Sequence, residues 1–197
     1  MGAESACYTT ARRLTREPTV HHHAFISLPS LAWRPAAAWR PAMSPAWWRW
    51  VASTDSLTAR LVDAASGDFQ VRLISQRLVR PRRDEALALN VSPARYVWCR
   101  EVALCAGRRP WVMARSVAPL DALHGQRMGQ LGERSLGSWL FRQPGLQRGP
   151  ISVTSASPCT LPSLWGRRSE FRHGRLRILV QEFFLARMAD ELGLPSR

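Results

Sequence analysis

Two charged residues stand among apolar neighbours at the spacing of a β-strand. Arg100 has Tyr96, Trp98, Val102 and Leu104 at alternate positions around it, and Glu182 has Leu176, Ile178, Val180 and Phe184. Side chains alternate across a strand, so each is the lone charge on an otherwise apolar face. An unpaired buried charge costs several kcal/mol, about 3–5 when one partner of a buried pair is missing. Two readings follow. Arg100 and Glu182 form a structural ion pair, or they stand at the ends of an apolar pocket that a polar ligand fills. The second arrangement suits a small aromatic or cyclic acid, with Arg100 taking a carboxylate and Glu182 a hydroxyl.

A third stretch, "LWGRRSEFRHG" at 164–174, is crowded with arginine and is followed by Arg175. His173-Gly174 reads as a two-residue hairpin turn. That turn pairs Arg172 with Arg175, sets Glu170 against Arg177 and brings Trp165 opposite Glu182. Arg167 then shares the face of Glu182, while Arg168 and Arg172 project into solvent. A one-residue bulge would reverse these faces.

The chain has 197 residues and is 46% hydrophobic, enough for one domain with an appendage. Its 28 basic residues are all arginine, against 14 acidic ones, for a net charge of +14. Lysine is absent and Asn90 is the only asparagine, a skew that reflects GC-rich codons. The charge is therefore weak evidence for nucleic acid, though a basic field still favours small anionic ligands. Alternating Trp and Arg in "AWRPAAAWRPAMSPAWWRW" resembles an aromatic-basic nucleic-acid platform, but no recognisable nucleic-acid module accompanies it. Cys99 and Cys105 fall six residues apart on one strand, about 20 Å, too far for a disulfide. With Cys7 and Cys159 they read as free thiols. No apolar run is long enough to span a membrane. "HHH" at 21–23 is a poor metal site, because adjacent residues of a regular element do not face one ion; no metal is expected.

The elements that must position these charges read as α+β, a single antiparallel sheet with helices packed against it. Residues 1–43 are broken by proline and read as an irregular, disordered extension. The domain runs over 44–190, and 191–197 is a tail. Ser44-Pro45 starts a helix with Trp47, Trp48 and Val51 on one face. Asp55 or Ser56 caps a second helix carrying Leu57, Leu61 and Val62. Strands are expected at "DFQVRLI", "ARYVWCREVALCAG", "WVMARSVAP", "ISVTS" and in a hairpin from 165 to 188, with short helical pieces at "LDALHG" and "SLGSWLF". "RPRRDEALALN" reads as a connection.

Six blocks, "DSLTARL" at 55–61, "REVALC" at 100–105, "PWVMARSVAP" at 110–119, "LGERSLGSWLF" at 131–141, "LWGRRSEFR" at 164–172 and "LVQEFFLA" at 179–186, occur in the order found in chorismate pyruvate-lyases. On these blocks the chain resembles that family over roughly residues 45–188. The resemblance implies a cofactor-free enzyme that converts chorismate to 4-hydroxybenzoate and pyruvate, the first committed step of ubiquinone biosynthesis; a monomer is expected, and the free thiols fit a cytoplasmic protein. It implies that Arg100 binds the substrate carboxylate, that Glu182 contacts the hydroxyl end of the ring, and that the backbones of Leu57 and Leu136 contribute further contacts. A backbone N–H in the first turn of a helix is a ready anion donor. Both Glu182 as a general base and a concerted internal proton transfer are open. The segment 142–163 departs from the family, Glu170 stands where a basic residue is usual, and Arg108-Arg109 replace a more acidic turn. A related fold serves as the effector domain of bacterial transcription regulators, so the alternative is a non-enzymatic sensor of small acids.

Overall fold

A computed structural model describes residues 30–123 and 131–195, together with Phe25 and Met128. The strands are β1 (Arg34–Pro35), β2 (Phe69–Val79), β3 (Val97–Ala106), β4 (Arg109–Pro119), β5 (Gln147–Arg148), β6 (Ser152–Thr154), β7 (Ser163–His173) and β8 (Leu176–Leu185). They form one antiparallel sheet in the order β1-β6-β7-β8-β4-β3-β2, with β5 also paired to β7. The α+β, single-sheet expectation holds.

The helices divide between the two faces. On one face α1 (Pro45–Val51), α2 (Leu57–Ala64), α4 (Leu136–Leu140) and α5 (Ala186–Leu192) bury Trp47, Val51, Leu57, Leu61, Leu136 and Met188 against the sheet. On the other face α3 (Arg83–Leu89) and the segment from Leu31 to Trp33 cover Val97, Cys99, Met113, Val117, Leu179 and Phe183. Ser44 caps α1 and Ser56 caps α2 through their hydroxyls, as the sequence suggests. Val62 is exposed and Trp48 half-buried, so the apolar stripes of α1 and α2 are narrower than expected. Cys99, Cys105 and Cys159 are free and buried; Cys7 and the "HHH" run lie outside the described residues. No helix of the described residues is long and apolar enough to cross a membrane.

Residues 30–43 are part of the domain, not an irregular extension. β1 pairs with β6 through Arg34↔Val153, and a 3-10 helix follows at Ala36–Ala42. The two "AWRPA" copies send their tryptophans to opposite faces. Trp33 packs on Phe183 and donates from Nε1 to Asp84 at 2.7 Å, while Trp39 packs on Trp165 and donates to the Val153 carbonyl at 3.1 Å. Proline does not forbid this, because Pro35 lies on the sheet's outermost strand, where no ladder partner is required. Residues 1–24 and 26–29 lie outside the described residues. The other end is also longer than expected: α5 runs to Leu192, and the Pro195 carbonyl accepts from Trp47 Nε1 at 2.7 Å. The stretch around 83–89, expected as a connection, is the helix α3.

Candidate active site

Register explains why Arg100 and Glu182 do not pair. Across the sheet Arg100 lies in a row with Ser116, Val180 and Ser169, and the next row on the same face is Val102, Ala114, Glu182 and Arg167. The two charges are two strands and one row apart, about 10 Å across the strands alone. Glu182 instead sits opposite Arg167, whose Nε donates to Oε2 at 2.6 Å. Arg167 Nη1 also donates to the carbonyls of Trp50 (2.9 Å) and Ser53 (3.1 Å) and to Ser53 Oγ (2.8 Å). The structural-pair reading of Arg100 with Glu182 is thereby corrected. Glu182 Oε1 accepts no bond from the described residues.

Arg100 is only 2% exposed, and it has neutral partners: Gln76 Oε1 at 3.3 Å and the Arg134 carbonyl at 3.1 Å. Among the described residues no carboxylate lies within ion-pair distance of it. Burial pulls the Arg100 guanidinium below the usual arginine range. A desolvated cation without a counter-ion is a site prepared for an anion.

Leu57 and Leu136 open α2 and α4, whose caps are Ser56 and Ser135. The first N–H groups of a helix have no acceptor within it, so these two amides are available donors at the positive ends of two helices. The helix starts are tied together by Thr58 Oγ1 and Ser135 Oγ at 2.7 Å. Gly137 permits this approach, since a Cβ there would stand 3.0 Å from Thr58 Oγ1. Leu57, Arg100, Leu136 and Glu182 all line one cavity, with Val102, Phe171 and other apolar groups between them.

The hairpin differs from its predicted register in two ways. Arg172 pairs with Arg177 and His173 with Leu176, so the loop is Gly174-Arg175 and the pairing is shifted by two residues. An even shift keeps every face, which is why Arg167 still shares the face of Glu182. The same shift sets Trp165 opposite Phe184 rather than Glu182, with Trp165 buried in the core, and a bulge at Leu164 changes the register only beyond it, at Ser163↔Leu185. Arg168 is not solvated: it bonds Asp84 Oδ2 at 3.0 Å and stacks on Trp33. Arg172 is exposed, as expected. Glu170 does reach Arg177 (3.0 Å), diagonally across the ladder, and Arg172 (2.8 Å).

Sequence reasoning missed Arg148. It stands on β5, in the segment that departs from the family pattern, and it lines the same cavity. A two-residue strand carries no alternation to betray it. Burial and the neighbouring Arg167 guanidinium push the Arg148 pKa down to about 10. The cavity thus gathers three guanidinium groups, Arg100, Arg148 and Arg167, against Glu182 and Asp55.

The reverse face of these strands carries a second charged row, Ser75, Glu101, Arg115, Gln181 and Arg168. Here α3 supplies partners of opposite charge. Glu85 accepts from Arg115 Nε (2.7 Å) and Gln181 Nε2 (2.7 Å), and Arg115 Nη1 donates to Glu101 at 2.6 Å. Burial pushes the Glu85 carboxyl up, but the bond and charge of Arg115 outweigh it and hold it below the usual range. Among the described residues no group of His, Cys, Asp and Glu side chains is placed to hold a metal ion.

A cavity lined by three guanidinium groups and two carboxylates over one antiparallel sheet has the chemistry of a small-molecule site. The chain belongs to the chorismate lyase family, whose model matches residues 28–193. A "Probable chorismate pyruvate-lyase" of Chromohalobacter salexigens is 59% identical over 172 residues, covering 84% of this chain and 94% of the relative. A protein of the same description from Pseudomonas aeruginosa is 40% identical over 163 residues, covering 79% and 92%. Among solved structures, the effector domain of PhnF from Mycobacterium smegmatis superposes with a TM-score of 0.45 at 12% identity, over 64% of this chain and 88% of that one.

Proposed function

We propose that this cavity is where the chain, acting as a chorismate pyruvate-lyase, eliminates pyruvate from chorismate to give 4-hydroxybenzoate. The reading fits the relatives, which are described as lyases and not as sensors. The observation that carries the site is Arg100, a buried cation without a carboxylate partner among the described residues, lining one cavity with Glu182 and two helix-start amides.

In this reading the ring carboxylate meets Arg100 and the N–H groups of Leu57 and Leu136, donors that charge-assisted bonding strengthens. Glu182, fixed by Arg167 through Oε2, presents Oε1 to the ring hydroxyl. The ether bond between ring and enolpyruvyl group breaks, and its electrons go to the departing enolate oxygen. The carbon bearing the hydroxyl loses its proton, the ring becomes aromatic, and the enolpyruvate takes up a proton to become pyruvate. All atoms of chorismate are divided between the two products, so no cofactor is consumed. The protein's contribution is to hold the dianion in a reactive conformer and to stabilise charge on the departing group. The enzyme acts as a monomer in the cytoplasm, at the first committed step of ubiquinone biosynthesis. Mixing the purified protein with chorismate tests the activity: the ultraviolet band of 4-hydroxybenzoate should grow as pyruvate accumulates in equal amount. A folded preparation that leaves chorismate unchanged would overturn the reading.

A further inference from the structure

Chorismate carries two carboxylates, and 4-hydroxybenzoate carries one. With Arg100 and the two helix-start amides assigned to the ring carboxylate, the enolpyruvyl carboxylate needs its own cation. Arg167 is already committed, because Glu182 takes its Nε and three oxygens of Trp50 and Ser53 surround its Nη1. Arg148 is differently placed. Its Nε donates to Ser169 Oγ at 3.1 Å and its Nη1 to the Ser53 carbonyl at 3.1 Å, both neutral oxygens. Its Cζ lies 5.2 Å from the centre of the Phe171 ring, and both residues line the cavity. Arg148 and Arg167 both donate to the Ser53 carbonyl, and only Arg167 has a carboxylate partner among the described residues.

We propose that Arg148 is the residue that binds the enolpyruvyl carboxylate, and that it thereby separates substrate from product. The inference rests on the reading of the cavity as the lyase site. Three observations support it. Arg148 and Arg100 stand at opposite sides of the cavity, on β5 and β3, with β7, β8 and β4 between them, so one ligand can meet both only with an acid group at each end. Like-charge repulsion from Arg167, with burial, leaves Arg148 a cation that an incoming anion stabilises. Neutral partners hold the guanidinium in place without neutralising it, which is the preorganisation that anion binding rewards. The consequence is discrimination by charge. A monoanionic product touches Arg100 and Glu182 but leaves Arg148 unmet, so release of pyruvate removes one of the two anionic anchors.

The test compares substrate kinetics with product binding in the same variants. Arg148→Gln should raise KM for chorismate so that kcat/KM falls about 30-fold or more, the usual cost of losing a desolvated charge contact. Its dissociation constant for 4-hydroxybenzoate, measured by equilibrium titration, should change less than about 3-fold, which also shows that the variant is folded. Arg148→Lys keeps the charge and should recover part of the lost kcat/KM. Unchanged chorismate kinetics in Arg148→Gln, beside an active wild type, would overturn this inference while leaving the lyase reading intact. Equal weakening of chorismate and 4-hydroxybenzoate would also overturn it, since Arg148 would then serve the ring end or the fold. An inactive wild type would instead sink the lyase reading itself.

Discussion

Both faces of the sheet carry buried charge, and they are finished differently. On the α3 face every charge of the row meets its opposite: Arg115 lies between Glu85 and Glu101, and Arg168 meets Asp84. On the cavity face Arg100 and Arg148 meet only neutral oxygens, and Glu182 keeps one oxygen unengaged by the described residues. Arg100, Glu182 and Arg167 sit on the same strands as Glu101, Gln181 and Arg168, and alternation alone sends the two sets to opposite sides. A protein that needed charge only for architecture would close both rows. The difference teaches that buried charge is structural where its own chain completes it and functional where the chain leaves it incomplete.

The largest effect is expected on the closed face. Arg115→Leu leaves the buried carboxylates of Glu85 and Glu101 without their cation and should cost about 3–5 kcal/mol in a urea titration. A variant as stable as wild type would erase the distinction between the faces. A smaller, graded effect is expected from acid. The folded-state pKa of Glu85 lies below its ordinary 4.5, so its contribution is complete above that pH and is lost as pH falls through the folded value. The urea midpoint should fall on acidification, and Glu85→Gln, already weaker at neutral pH, should lose less over the same range. Parallel losses in both proteins would assign the acid sensitivity elsewhere.

Much of the cavity face was legible in the sequence because strands write their faces at alternate positions. Arg100 and Glu182 stood out as single charges in apolar series, and the helix starts at Ser56 and Ser135 carry hydroxyl caps. Even an incorrect hairpin loop did little harm, since a two-residue shift preserves faces. The closed face was not legible. α3 has seven residues, its Leu87 points to solvent, and its buried side includes Asp84 and Glu85. Hydrophobic periodicity has nothing to detect in a helix docked by its acids. Residues 30–43 were obscured by prolines that an outer strand and a surface 3-10 helix tolerate. α5 follows β8 without a breaking residue, so strand and helix read as one apolar run. Arg148 was hidden for a plainer reason: its neighbours in space, Ser53, Ser169 and Phe171, are far from it in sequence.

The central claim, that the cavity face leaves its cations open for a ligand, is tested most directly by titrating Arg100→Ala with 4-hydroxybenzoate beside a thermal melt of the free protein. Loss of the charge-assisted contact should weaken binding by about 2–5 kcal/mol, while the ligand-free melting temperature stays close to that of wild type. If Arg100→Ala binds 4-hydroxybenzoate as wild type does, and melts far below it, Arg100 is a structural charge and the account of the cavity is contradicted.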